Sequence, residues 1–340
     1  MKKVVTFGEI MLRLSSEGYT RLFQTDKLVA TFGGGEANVA ISLANFGVDC
    51  AFVTKLPENP VGDAAIRALR AFGVDTRHIT RGGERMGVYY LEKGASQRGS
   101  LCVYDRKYSA ISMAQPTDFD WDTIFKDATW FHFTGITPAL HPTLVAICLE
   151  AVKAAKQRNI TVSCDLNYRG KLWTRAEAEI AMTKLCQYVD VLIANEEDAA
   201  DVFSIAAEDT DITGGKLNVE GYKSVAKQLM EKFPFQKVAI TLRTSISAND
   251  NQWSAMLYDG ETFYQAKTYP LHIVDRVGGG DSFGAGLIYA LQSDMSTQDA
   301  VEFAVAASAL KHSIEGDFNR VSVEEVTKLM KGDGSGRVKR

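Results

Sequence analysis

The chain has no apolar run approaching the roughly 18 residues of a membrane span, so no membrane partner is expected. Its first residues, Met1-Lys2-Lys3-Val4-Val5, pass straight into a strand pattern without the apolar stretch of a signal peptide. A cytoplasmic protein is therefore expected. The five cysteines, Cys50, Cys102, Cys148, Cys164 and Cys186, are scattered, odd in number and include no Cys-x-x-Cys pair. They read as buried reduced thiols rather than a disulfide framework or a zinc site. An excess of positive charge is also lacking: the net charge of -4 leaves no electrostatic footprint for nucleic acid. The one basic cluster, Arg337 to Arg340, falls in residues 334-340, which read as a flexible tail. Internal repeats and low-complexity segments are absent. So are G-x-x-x-x-G-K-[ST] and G-x-G-x-x-G, which excludes a Walker A loop and argues against a Rossmann dehydrogenase.

What is present is the balance of a globular enzyme: 340 residues, 46% hydrophobic and 24% charged. Val4–Phe7, Ala51–Thr54, Trp130–Phe133, Thr161–Leu166, Val191–Ala194 and Val238–Leu242 read as strands buried on both faces. Helical patterns lie between and after them. One runs from about Glu36 to Phe46 and stops at Gly47; the next is capped by Asp63, buries Ile66, Leu69 and Phe72, and stops at Gly73. Others cover His141–Gln157, Arg175–Gln187, Gly221–Lys232, Ser282–Leu291 and Ser296–His312. The alternation predicts an α/β fold, a mainly parallel sheet in three layers with helices on both faces. Residues 11-33 and 83-113 carry no helix and predict one small antiparallel sheet, a lid or a dimerisation surface. The core is then 1-10, 34-82 and 114-333.

Two glycine-rich turns stand out. Gly33-Gly34-Gly35-Glu36-Ala37-Asn38 precedes a helix, lets a ligand approach the backbone, and offers the Asn38 amide to a hydroxyl. Alone it is as well read as a tight connection. Asp275-Arg276-Val277-Gly278-Gly279-Gly280-Asp281 places three amides where a helix directs its positive end. An N-cap is the commoner role for an acidic residue such as Asp281. Three successive glycines, with Gly284 and Gly286 behind them, favour a catalytic one, because glycine is costly unless backbone must come close to something.

Together the two turns resemble the ribokinase-like (PfkB) carbohydrate kinase family. Gly34, Gly35, Asn38 and Gly47 match its first motif, with Pro60-Val61-Gly62-Asp63 following. Asp275 to Asp281 matches its D-T-x-G-A-G-D motif, except that Arg276 replaces Thr and Gly279 replaces Ala. The similarity spans about residues 1 to 330. Within the family it is greatest to the members that phosphorylate 2-keto-3-deoxygluconate, through Gly87-Val88-Tyr89, Val103 to Lys107, Phe133 to Leu140 and Asp165 to Trp173. The resemblance implies phosphoryl transfer from ATP with Mg²⁺, with Asp281 as base and the Gly278, Gly279 and Gly280 amides as an anion hole. It places Gly34, Gly35, Asn38, Tyr89, Tyr104, Arg106 and Arg169 around a sugar acid. Asn195, Gly278 and Gly280 fall on the nucleotide side, with Asp198 near Mg²⁺ through water. Asp275 and nearby carbonyls would hold a potassium ion. A homodimer or higher homo-oligomer through the small sheet is also implied.

The arginines suit this chemistry independently, since planar guanidinium groups bind carboxylates through charge-assisted bonds. From spacing alone Arg106 is equally a surface charge beside Asp105 and Lys107, and Tyr89 and Tyr104 are equally sheet packing. Trp173 reads as packing. At the next strand end, Thr241-Leu242-Arg243-Thr244-Ser245 lacks the glycine usual in the family. A fructokinase or phosphosugar kinase is the alternative, since two arginines also suit a phosphate. A non-catalytic sugar sensor is the alternative from another class.

Overall fold

The computed structural model describes residues 2-195, 197-207 and 218-334. Strands β1 (Lys3–Phe7), β2 (Met11–Ser15), β3 (Val29–Gly33), β4 (Cys50–Leu56), β5 (Ile79–Arg81), β6 (Val88–Glu92) and β7 (Leu101–Asp105) form the first third. They are followed by β8 (Ala128–Thr134), β9 (Thr161–Asp165), β10 (Val191–Ala194), β11 (Lys237–Ser245), β12 (Asp250–Tyr258), β13 (Phe263–Gln265) and β14 (Tyr269–His272). The large sheet runs β13-β12-β11-β10-β9-β8-β1-β4-β5, with β14 also on β12. From β11 to β5 every neighbouring pair is parallel.

Residue alternation along these strands sorts the apolar side chains into two cores, one on each face. Val5 and Phe7 of β1 enter one core and Val4 the other; Leu192 and Ala194 of β10 separate from Val191 and Ile193 in the same way. The helices Pro142–Gln157, Arg175–Leu185 and Val219–Lys232 cover the first core. Gly35–Asn45, Pro60–Arg70, Gly279–Gln292 and Thr297–Lys311 cover the second. Gly47 and Gly73 end their helices with φ of 81° and 82°, the left-handed conformation that makes glycine the fitting residue there.

Three expectations are corrected. The second helix begins earlier, capped by Asn59, whose Oδ1 accepts from the Val61 and Gly62 amides with Pro60 at the first position. Asp63 lies inside its first turn and pairs with Arg81 at 2.8 Å. The small sheet, β3-β2-β6-β7, is mixed rather than antiparallel, since β2 and β6 run parallel. Both leave the core after strands that point the same way, β1 and β5, so they emerge in the same sense. Finally, β11 runs on to Ser245 and turns into an antiparallel extension, β12 to β14, that the sequence reading did not include. No helix among the described residues is long and apolar enough to cross a membrane. All five cysteines are free thiols, four of them buried, and residues 335-340 of the tail lie outside the described residues.

Gly284 and Gly286 test the idea of close packing in the helix Gly279–Gln292. A Cβ on Gly286 would stand 2.9 Å from the Ala304 Cα, whereas one on Gly284 would meet only the Ile193 Cδ1 at 3.4 Å. Overpacking costs about 1–3 kcal/mol, against the about 1 kcal/mol returned by removing a mid-helix glycine. Gly286→Ala should therefore unfold at lower urea concentration than Gly284→Ala; equal midpoints would show that the two helices can separate freely.

Candidate active site

A cleft of about 330 Å³, the scale of a small-ligand site, opens over the carboxyl ends of the parallel strands. That is where open α/β sheets place their ligands. Glu9 follows β1, Ile136 follows β8, Asp165 and Arg169 end or follow β9, and Asn195 and Asp198 follow β10. Thr241 and Arg243 lie on β11. The small sheet contributes Met11, Tyr89, Cys102 and Tyr104, with Arg106 just beyond it.

Two helix N-termini converge on the same point. Asn38, in the first turn of Gly35–Asn45, donates Nδ2 to Asp281 Oδ2 at 2.7 Å, and its Oδ1 accepts from the Gly34 amide at 3.3 Å. Asp281 is no N-cap: the helix starts at Gly279, with Gly278 at the cap position and φ of 83°. Burial pushes the Asp281 carboxyl up to about 6, against the pull of the Asn38 bond, with Asp317 adding to the rise and Arg169 and Lys311 opposing it.

The three glycines of this turn serve different ends. A side chain on Gly278 would run into the Asp317 carbonyl, and one on Gly279 into the His312 ring. At Gly280 a Cβ would meet nothing within 4 Å, so no protein atom accounts for the missing side chain. Gly278 and Gly280 line the cleft, while Gly279 does not. The Gly279 amide donates to the Arg276 carbonyl at 3.3 Å. Among the described residues the Gly278, Gly280 and Asp281 amides have no acceptor, so the donors on offer to an anion differ by one from the expected set.

Around β9 the chain makes an Asx turn. Asp165 Oδ1 accepts from the Asn167 amide at 3.1 Å, and Asn167 takes φ of 40°, which asparagine tolerates. Asp198 Oδ1 accepts from the Tyr168 amide at 3.0 Å, fixing the approach of Arg169. Asp198 Oδ2 and Asn195 Oδ1 are also spent on backbone amides of their own turn. Asp165 is held well above the usual carboxylate range by burial and by the Asp198 and Asp281 charges. Asp198 is raised as well, chiefly by burial. Arg169 is exposed, donates Nη1 to the Tyr168 carbonyl at 2.8 Å, and has no carboxylate at ion-pair distance among the described residues.

The other expected sugar contacts are already engaged. Arg106 binds Glu9 Oε2 through Nε, at 2.8 Å, and through Nη2. The Tyr89 hydroxyl donates to the Asp317 carboxylate at 2.6 Å, so only its ring faces the cleft, stacked on Tyr104 with centroids 5.9 Å apart. Asp275 does not reach the cleft: its Oδ2 accepts from Arg13 Nη2 at 2.5 Å, while Arg13 Nη1 donates to Asp317 at 2.7 Å. Glu9, Arg13, Asp165, His312 and Asp317 were not picked out from the sequence. Only Asp165 carried a signal, as an acidic residue ending a buried strand.

A buried carboxylate beside amides without an acceptor, in a strand-end cleft bordered by a small sheet, is an arrangement suited to group transfer to a small hydroxylated substrate. Comparison with known proteins agrees: residues 1–319 match the model of the pfkB family carbohydrate kinases. The chain is 32% identical to the 2-dehydro-3-deoxygalactonokinase of Haloferax volcanii over 334 residues, 98% of each chain. The crystal structure of the 2-dehydro-3-deoxygluconokinase of Thermotoga maritima superposes with a TM-score of 0.94 at 53% identity, covering 98% of this chain and 100% of that one. A PfkB family carbohydrate kinase of Listeria grayi gives 0.90 at 33% identity, covering 97% and 100%. The chain belongs to the pfkB family of carbohydrate kinases, and it is an enzyme of that class.

The Asn38 bond is the main neutral contact holding Asp281 ionised. Asn38→Ala should move the Asp281 pKa above about 6, read by carbon NMR of labelled aspartate carboxyls. An unmoved value would mean that the bond carries no electrostatic weight.

Proposed function

We propose that the chain transfers the γ-phosphoryl group of ATP to the terminal hydroxyl of 2-keto-3-deoxygluconate, also called 2-dehydro-3-deoxygluconate, giving its 6-phosphate. The observation that carries the reading is the pairing in one cleft of a carboxylate placed to act as base, Asp281, with an arginine, Arg169, that has no carboxylate at ion-pair distance among the described residues. A sugar acid supplies both a hydroxyl for the first and a carboxylate for the second. The names of the similar kinases support that substrate class.

Asp281 accepts the hydroxyl proton as the oxygen bonds to the γ-phosphorus and the bond to the bridging oxygen breaks, releasing ADP. The Gly278, Gly280 and Asp281 amides face the negative charge that develops on the transferred group. Asn38 aims the carboxylate, and Gly34 and Gly35 keep backbone close to the sugar. The Tyr89 and Tyr104 rings wall the sugar, and Arg106 offers its remaining Nη1. On the nucleotide side stand Asn195, Arg243 and Arg276; burial and the Arg243 charge lower the Arg276 pKa, a repulsion that phosphate anions relieve.

Magnesium fits Asp165 and Asp198: burial raises both carboxyls, and the Asp198 and Asp281 charges beside Asp165 add a repulsion that a divalent cation would relieve. It would be held there through water and would neutralise phosphate charge. The potassium ion expected at Asp275 finds that carboxylate taken by Arg13 and that carbonyl by Lys311. The small sheet closes off water as a lid. Its outer strand exposes Leu101 and Val103, an apolar edge that supports a homodimer.

Asp281→Asn should lower kcat by on the order of 10²–10⁴ while leaving sugar and ATP Kd within a few-fold; near-full turnover would remove Asp281 from the chemistry. Because the base works as the carboxylate, kcat/KM should stay level above about pH 6 and fall as pH drops through it. A second substrate reading rests on the similar galactono-acid kinase. ADP release measured on the gluco and galacto epimers, fructose and fructose 6-phosphate should favour the two acids. Higher kcat/KM on fructose or its phosphate would overturn the acid assignment.

A further inference from the structure

Lys311 is the last residue of the helix Thr297–Lys311, and none of its surface is exposed. Its Nζ donates to two backbone carbonyls, those of Asp275 and Ile314, both at 3.2 Å. Its Cε stands 3.3 Å from where a Cβ on Gly278 would be. One turn of the same helix and the residue after it press on the next glycine. Ser308 Oγ donates to the Gly279 carbonyl at 2.7 Å, and the His312 ring fills the space beside Gly279. His312 Nδ1 lies 2.7 Å from the Ser308 carbonyl, and burial pushes the His312 pKa down to about 4, so the ring is neutral. Of these three residues, only Lys311 brings positive charge to the turn.

The nearest carboxylates do not cancel it locally. Asp275 and Asp317 are bridged by Arg13, and Asp317 also takes the Tyr89 hydroxyl. Burial lowers the Lys311 pKa, while the Asp275, Asp317 and Asp281 charges oppose the fall. What remains is a cation coordinated by main-chain oxygens from two separate segments, at a helix C-terminus whose dipole favours it. Main-chain oxygens are also the type of ligand that a bound monovalent ion would take.

We infer that the Lys311 ammonium replaces a bound potassium ion: it locks the carbonyls of Asp275 and Ile314 together and thereby sets the Gly278–Gly280 turn, so the enzyme needs no monovalent cation. Lys311 is a positioning residue, acting through the turn and not on substrate. The inference rests on the kinase reading above and deepens it. A tethered ammonium need not be recaptured from solvent, whereas a free ion must lose its water each time it binds.

The test uses the full-length enzyme in potassium chloride and in tetramethylammonium chloride, a cation too large for the site. The wild type should give equal kcat and an equal Tm in both. Lys311→Met keeps the side-chain bulk and removes the charge; it should lose roughly 10²-fold or more in kcat, the scale of one lost anion-hole donor, in either salt. Lys311→Ala leaves room for an ion, and its Tm and kcat should recover in potassium but not in tetramethylammonium. Several-fold potassium activation of the wild type, or full turnover by Lys311→Met, would overturn the inference. If Lys311→Ala does not fold, the wild-type salt comparison and Lys311→Met still decide. Absence of any sugar-dependent ADP release in the wild type would instead count against the kinase reading, and the Tm comparison would still report on Lys311.

Discussion

The hydrogen bond from Asn38 to Asp281 joins residues 243 positions apart and is the constraint around which the site is arranged. It forms because two helices, each entered through glycines, bring their N-termini to the same strand ends. Glycine is needed there because a Cβ on Gly34 would strike the Glu9 carbonyl, and one on Gly278 the Asp317 carbonyl. Burial raises the pKa of the Asp281 carboxyl. The amide of Asn38 offsets part of that shift, and the result, about 6, would suit the proposed role of Asp281 as a general base, which must both ionise and still accept a proton.

Behind that bond lies a second, ionic layer. Arg13, from β2, bridges Asp275 and Asp317; Tyr89, from β6, donates to Asp317; Arg106, after β7, is held by Glu9. Each ties the small sheet to the core through a buried charge. Breaking one partner of such a pair strands the other, which typically costs about 3–5 kcal/mol. The small sheet is thus docked in one orientation over the cleft, at the cost of side chains that would otherwise be free for substrate.

That trade explains what the sequence shows and what it hides. Strand and helix positions are legible because they depend on local periodicity, and the helix stops at Gly47 and Gly73 follow from single residues. The glycine turns are legible as a pair. The roles of Tyr89, Arg106 and Asp275 are not, because each depends on a partner between 97 and 262 residues away. Gly279 looks identical to its neighbours in sequence, yet a histidine just past the end of another helix decides its use. Arg13 and Lys311 leave no local signal at all. Asp63 is the expected cap of the second helix, and Asn59 takes that place because Pro60 fixes the first helical position.

The engaged arginine sharpens the substrate argument. With Arg106 held by Glu9 and Arg243 and Arg276 on the proposed nucleotide side, the cation left for a substrate carboxylate on the proposed sugar side, among the described residues, is Arg169, on a turn held by Asp165 and Asp198. Those same aspartates, with Asp281, make the surroundings of Arg169 acidic, so a second unpaired anion is tolerated only where the guanidinium reaches it directly. A singly charged sugar acid meets that condition. On the proposed reading, a phosphosugar would bring nearly twice the charge to Arg169, and a neutral hexose would leave Arg169 without an anion. Discrimination then comes less from affinity for the acid than from the charge imbalance that either rival leaves behind.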